Sequence, residues 1–416
     1  MPDQNQIHLG IIGAGAAGLV AAREGLRQGL QVRVFEKAGE CGGVWVYDPK
    51  PEDDPLGRDP ASSRHASLYR SLRTNLPKDL MAFQDFPFPS AGSDPQFIHH
   101  TEVRRYLEEF ASHFNLQPHI RYHSPVSRLR PLDGQRWSLE LQSGDSEEFD
   151  AVVVANGHFT KPRFPPLPGM EKFSGRILHS HNYRTPEPFA NQRIALLGAA
   201  ASALDLAVEL SGVADTVYWL AENQPDLDLA PNVIPRPAPE SFTSDGVRLA
   251  DGSCIENLDT FIFCTGYHYH FPFLPPGIVR IEDNWVHPLY RELIPPKHPS
   301  LAFLGLPYAI IPFPLFELQA RWFVRLLAAQ FTLPPTVAML RTCRRHEQRM
   351  RATRPKRRNF HRMGEDQFLY MNTLAAECGE PPLPSWFKPL AAKIRRLRRD
   401  HPATYRDHPI YPTPTP

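Results

Sequence analysis

Six residues near the start of the chain carry the first chemical signal: Gly13-Ala14-Gly15-Ala16-Ala17-Gly18. Glycine at the first, third and sixth places suits a backbone that must cradle a pyrophosphate, provided a strand leads in and a helix leads out. Gly13 permits the tight turn, Gly15 the close approach of backbone N–H groups, and Gly18 the packing of helix on strand. The N-terminus of that helix adds partial positive charge. Glu36, farther on, can accept hydrogen bonds from both hydroxyls of a ribose and would repel a 2′-phosphate there. Gly42-Gly43-Val44-Trp45 offers a second close backbone approach beside a flat apolar ring. A later cluster, Gly198-Ala199-Ala200-Ala201-Ser202-Ala203, repeats the first with alanine at two of the glycine places.

The elements that must position these clusters surround both of them. Ile7 to Ile12 is a short apolar run that reads as a buried parallel strand. Leu19 to Arg27 reads as a helix, Gly29 ends it, and Val32 to Phe35 makes the returning strand. Around the later cluster, Arg193–Leu197, Leu204–Leu210 and Thr216–Leu220 repeat strand, helix and strand. Two further segments share one pattern: Asp150 to Gly157 and Asp259 to Gly266 each have an acid, an apolar strand and a glycine turn. The expected fold is α/β, with two Rossmann-like dinucleotide-binding domains. Residues 271–330 still need a sheet to pack on, so the second unit reads as an insertion into the first. The expected division is 1–160 with 271–416 for the first unit, and 161–270 for the inserted second. Residues 401–416 form a proline-rich, draped tail.

Composition narrows the function. A chain of 416 residues accommodates two domains, and its net charge of +1 gives no reason to expect nucleic acid or anionic lipid. Five scattered cysteines without a CxxC argue for a reducing compartment and against structural zinc, and no metal site is expected. Cys41 has no partner four or five residues on, which argues against a redox-active disulfide. There is no signal-peptide pattern, and Arg321 and Arg325 interrupt the best apolar run, so a soluble cytoplasmic protein is expected. The arginine-dense stretches 341–362 and 393–399 read as solvated helix faces, with a weak anionic surface contact as the alternative. Two nucleotide units in one chain suggest FAD facing a nicotinamide, with hydride passing between them. The reduced flavin could then serve a disulfide, a dye or quinone, or O₂.

Phe173-Ser-Gly175-Arg-Ile-Leu-His179-Ser-His-Asn-Tyr183 discriminates among these. Its form, F-x-G-x-x-x-H-x-x-x-Y between the two fingerprints, resembles the identifying motif of flavin-containing monooxygenases. Agreement extends along nearly the whole chain, including Leu72 to Asn75, Asp85 to Pro89, Leu289 to Arg291 and Phe316 to Trp322. It looks closest to the soluble branch that includes the plant glucosinolate S-oxygenases. Related Baeyer–Villiger enzymes carry Trp in place of Tyr183, which makes ketone insertion the lesser expectation.

The resemblance implies that NADPH reduces FAD and that O₂ then adds to flavin C4a. The resulting hydroperoxide, kept from water, oxygenates an amine nitrogen or sulfide sulfur. By the same resemblance Gly13, Ala14, Gly15, Ala16, Ala17, Gly18 and Glu36 hold FAD, with Val44 and Trp45 beside it. Thr74 and Asn75 stand at the flavin–nicotinamide junction, Asn75 in the catalytic role. Gly198, Ala199, Ala200, Ala201, Ser202, Ala203 and Asp205 belong to the nicotinamide site, and Gln319 lies near the flavin. His179 and Tyr183 read as links between the domains rather than proton carriers.

Three features depart from the family. Ala200 and Ala203 replace glycines, Glu222 stands where an arginine usually meets the 2′-phosphate, and the apolar C-terminal anchor that vertebrate members often carry is not expected. By the resemblance NADP(H) is the expected nicotinamide, Glu222 leaves NADH use open, and a homodimer is compatible with the reading. An NAD(P)H oxidase or dehydrogenase on the same fold remains an alternative. So does a flavin-binding scaffold whose second site no longer takes nicotinamide.

Overall fold

In the computed structural model, which describes residues 6–59, 67–89, 91–222 and 227–411, two five-stranded parallel sheets share one plan. The first runs Leu301–Phe303, Ala151–Val154, His8–Ile12, Gln31–Phe35, Ile120–Arg121. The second runs Val233–Arg236, Thr216–Leu220, Arg193–Leu197, Thr260–Phe263, Arg176–His179. In each, the strand leading into a glycine turn is central, flanked by its returning strand and by the strand that ends in a second glycine turn. Leu301–Phe303 joins the first sheet although the whole second sheet precedes it in sequence.

Strand alternation explains the layers. Leu9 and Ile11 face the helix Ala16–Arg27, while Ile12 faces the other side with Phe149 and Trp137. Gly10 is on that second side, where a Cβ would lie only 2.9 Å from the Phe149 ring. The second sheet repeats this: Ile194 and Leu196 pack on the helix Ala201–Leu210, Ala195 and Leu197 on Phe242 and Val247. The cover on the second face is in both cases a three-stranded antiparallel meander, at 126–149 and at 239–255. Sequence reading passed over both meanders. Ser143-Gly144 and Asp251-Gly252 were their turn signals.

Both fingerprint helices begin three residues earlier than expected, at Ala16 and Ala201. The glycine clusters are therefore half turn and half first helical turn, with Gly15 and Ala200 as the capping residues.

The tail packs closely as far as residue 411, burying Tyr405 and Ile410. Its remainder, 412–416, lies outside the described residues. The basic stretches lie largely on the helices Thr336–Thr353 and Phe387–Asp400. Among the described residues, no helix is long and apolar enough to cross a membrane.

Candidate functional site

The first cluster folds as its glycines require. Gly13 has φ +103°, its N–H donates to the Phe35 carbonyl at 2.8 Å, and a Cβ there would stand 2.5 Å from the Ala155 carbonyl oxygen. At Gly18 a Cβ would stand 1.8 Å from the Gly13 carbonyl oxygen, so the helix is packed on its own turn. Over this turn lies the second glycine pair. Gly42 N–H donates to the Ala14 carbonyl at 3.0 Å, and a Cβ on Gly43 would come within 2.9 Å of the Gly15 Cα. Trp45 meets Phe313, at the start of the helix Pro312–Leu327, edge to face at 6.4 Å.

Glu36 closes this constellation. Its carboxylate accepts the Ala14 N–H at 2.7 Å and the Ala38 N–H at 2.9 Å, and it is buried. Two of its roughly four lone-pair directions are thereby used, leaving acceptor capacity for ribose hydroxyls. No side chain caps the helix at Gly15, so its first N–H groups are available to an anion. The residues fit a dinucleotide diphosphate.

The second cluster repeats the backbone plan bond for bond. Gly198 N–H donates to the Leu220 carbonyl at 3.0 Å, and a Cβ on Gly198 would stand 2.3 Å from the Cys264 carbonyl oxygen. Ala199, Ala200 and Ser202 are exposed, and no side chain caps this helix either. Gly15 is overlain by Gly43, whereas Ala200 has open space for its methyl. Ala203 is fully buried in its own unit's core. Glu222, two residues past Thr216–Leu220, is exposed and pairs with Lys356 at 3.2 Å. Arg236, also exposed, is in register with Leu220 on the neighbouring strand. Residues 223–226 lie outside the described set.

The remaining candidates separate. Thr74 is buried, its hydroxyl accepting the Ile98 N–H at 3.1 Å. Asn75 is half-buried, and its amide has no hydrogen-bond partner among the described residues. Asp205 is engaged by other chain groups, its carboxylate accepting from Tyr69 at 2.9 Å and Arg406 at 2.8 Å. Gln319 is wholly buried and both ends of its amide are engaged. Its oxygen accepts the Gly305 N–H and its nitrogen donates to the Tyr370 hydroxyl, each at 2.9 Å.

Both expected residues of the Phe173–Tyr183 motif touch the stretch before residue 160: the His179 N–H donates to the Pro55 carbonyl at 3.1 Å, and the Tyr183 ring meets Tyr69 edge to face at 5.8 Å. Tyr183 donates at 2.8 Å to Glu209, on its own sheet's helix. Burial pushes the His179 imidazole down to about 3, so it is neutral. Further crossing contacts come from Asn182, which holds the Glu52 N–H and the Asp54 carbonyl, each at 2.9 Å, and from Arg184, one residue past the motif, which donates to the Asp48 carbonyl at 2.8 Å. Thiol chemistry is unsupported: burial raises the Cys41 thiol and pushes Cys264 up to about 12, so both are protonated at neutral pH.

Sequence reading also missed a buried ion network behind the first cluster. Arg23, on the first fingerprint helix, meets Glu24 at 2.6 Å, Glu317 at 2.5 Å and Asp85. Arg321 meets Glu317 at 2.6 Å, Glu380 at 2.8 Å and Glu24 at 3.3 Å. The network joins the helices Ala16–Arg27 and Pro312–Leu327, and so connects the glycine turn to the helix that carries Gln319.

A two-sheet chain with paired glycine turns has close counterparts. The family described as "Flavin-binding monooxygenase-like" matches residues 6–226 and 218–389 in two overlapping stretches. The chain belongs to that family. This flavin monooxygenase is 38% identical to flavin-containing monooxygenase FMO GS-OX-like 4 of Arabidopsis thaliana, over 96% of the chain and 93% of that protein. It is 39% identical to FMO GS-OX5 of the same plant, over 92% of the chain and 87% of that protein. Among solved structures, S-allyl-L-cysteine S-oxygenase from Allium sativum superposes with a TM-score of 0.91 at 37% identity, covering 97% of this monooxygenase and 95% of that chain.

Proposed function

We propose that this monooxygenase uses NADPH and O₂ to oxygenate a soft nucleophile, a sulfide sulfur before an amine nitrogen. The observation that carries the sulfur preference is the whole-chain match to an S-oxygenase at a TM-score of 0.91 and 37% identity. In this reading residues 1–160 and 271–416 hold FAD, and 161–270 hold the nicotinamide nucleotide. The fit of the 13–18 turn, Gly43 and Glu36 to a dinucleotide diphosphate supports the first assignment. The repeated turn at 198–203 supports the second. The cytoplasm is the proposed compartment, supported by five unpaired cysteines.

Bound flavin supplies the acceptance of hydride and the activation of O₂. The chain supplies placement and dryness. Backbone N–H groups at Gly15–Gly18 bind phosphate, Glu36 fixes the ribose, and Trp45 packs the floor against Phe313. Water must be excluded from the reacting centre, because solvent diverts the oxidant to H₂O₂. No acid–base dyad is required of the protein, in keeping with a neutral His179.

Asn75 is the residue proposed to touch the reacting groups, and its unpartnered amide supports this. Asn75→Asp keeps the size, removes a donor and adds charge. NADPH oxidation should continue while product per NADPH falls roughly tenfold and H₂O₂ makes up the difference. Unchanged coupling would remove Asn75 from the site.

Nicotinamide choice turns on Glu222. Glu222 stands two residues past the second returning strand, where it could read the ribose, paired with Lys356 and with Arg236 on the adjacent strand. NADPH should therefore be preferred, but weakly. Glu222→Arg should raise the NADPH-over-NADH ratio of kcat/KM roughly fivefold, equivalent to about 1 kcal/mol after screening. A ratio that does not move would show that Glu222 does not read the ribose.

A further inference from the structure

The C-terminal segment reaches a place that its distance in sequence does not suggest. Arg406 donates through Nε to the Thr74 carbonyl at 3.1 Å and through Nη2 to the Asp205 carboxylate at 2.8 Å. The Thr74 carbonyl belongs to the peptide that carries the Asn75 nitrogen. Asp205 lies on the second fingerprint helix, Ala201–Leu210. One planar guanidinium thus spans the junction loop and the helix of the second nucleotide unit.

The surrounding contacts fix Arg406 itself. Arg73 donates to the Arg406 carbonyl at 2.7 Å, pairs with Asp407 at 2.5 Å, and holds the Phe97 carbonyl at 3.0 Å. The Arg406 guanidinium lies 4.6 Å from the centre of the Tyr405 ring, which is buried edge to face against Phe97 at 5.2 Å. Tyr69 gives Asp205 a second donor. Such a fork has two directional donors in fixed relation, whereas a lysine in its place is a point charge able to satisfy one partner well.

We infer that Arg406 is a positioning residue for oxygenation: it sets the Asn75 loop against the second fingerprint helix and so keeps the two nucleotides in register. The inference rests on the proposed site at Asn75 and 198–203. Loss of the fork leaves both units folded but frees their mutual placement. Hydride delivery tolerates that freedom better than dry oxygen transfer does, because small misplacements are costly where geometry carries the rate.

Arg406→Ala, Arg406→Lys and the wild type would be compared in two measurements. The first is hydrogen exchange on the purified protein without added nicotinamide nucleotide. Arg406→Ala should exchange faster in peptides covering 72–76 and 201–210 and unchanged in 16–27, with flavin content as in the wild type. The second is product per NADPH, with S-allyl-L-cysteine as probe, expected to fall roughly threefold in Arg406→Ala and less in Arg406→Lys. Faster exchange throughout the chain would make Arg406 merely structural and overturn the inference, as would full coupling in Arg406→Ala. Should the alanine variant not fold, Arg406→Lys decides by the same two measurements. A wild type that yields no oxygenated product counts against the functional reading instead, and the exchange pattern still decides whether Arg406 ties the two units.

Discussion

Gly15→Glu should give a folded but colourless protein, with flavin content below roughly a tenth of the wild type and no NADPH oxidation. The position allows this separation of binding from folding. Gly15 has φ −76°, which any residue adopts, and an added Cβ would lie at an ordinary 3.5 Å from the Gly43 Cα. The rest of a glutamate side chain must then enter the space between the two glycine loops and bring negative charge to a site built for phosphate. At Gly18 the outcome would be uninformative, because a Cβ 1.8 Å from the Gly13 carbonyl oxygen forces the helix off its turn. The checks are the visible absorbance of the purified variant and its far-ultraviolet circular dichroism. A yellow Gly15→Glu protein with normal flavin would show that the 13–18 turn does not hold the diphosphate.

The largest stability effect is expected at Glu317→Ala. Glu317 is buried between Arg23 and Arg321, and its second oxygen accepts the Gln84 N–H at 2.8 Å. Four arginines (Arg23, Arg27, Arg321, Arg325) share four carboxylates (Glu24, Asp85, Glu317, Glu380) in this network. Removing one carboxylate leaves buried positive charge uncompensated, which costs about 3–5 kcal/mol. A denaturant titration of the wild type, Glu317→Ala and Glu317→Gln should show the alanine variant unfolding at markedly lower denaturant and losing flavin first. The glutamine variant should lie between them, since its amide oxygen can keep the Gln84 bond. A loss below about 1 kcal/mol would mean that water or repacking compensates the arginines.

How much of this was legible in sequence depended on the range of the interaction. The glycine turns were legible because φ +103° at Gly13 and the close approach at Gly18 admit no side chain, and such needs mark the sequence locally. Helix starts were placed three residues late because Ala16 and Ala201 look alike in a turn and in a first helical turn. The meanders escaped because their strands are short and their apolar positions few. Nothing in the local sequence marks Arg23 or Glu317 as buried; that follows only from their meeting, 294 residues apart. Asp205 belongs to the nucleotide site by family resemblance alone. The residue that engages it lies in a tail whose proline content suggested nothing more than draping.

The central claim is oxygen transfer, and isotopic oxygen tests it directly. Enzyme with bound flavin, NADPH and S-allyl-L-cysteine would be incubated under ¹⁸O₂ and the product weighed by mass spectrometry. The account predicts a sulfoxide carrying one ¹⁸O atom, formed in near-equal amount to the NADPH consumed, with little H₂O₂. NADPH consumption matched by H₂O₂, with no labelled sulfoxide from this thioether and no labelled N-oxide from a tertiary amine run in parallel, would contradict it and leave an oxidase.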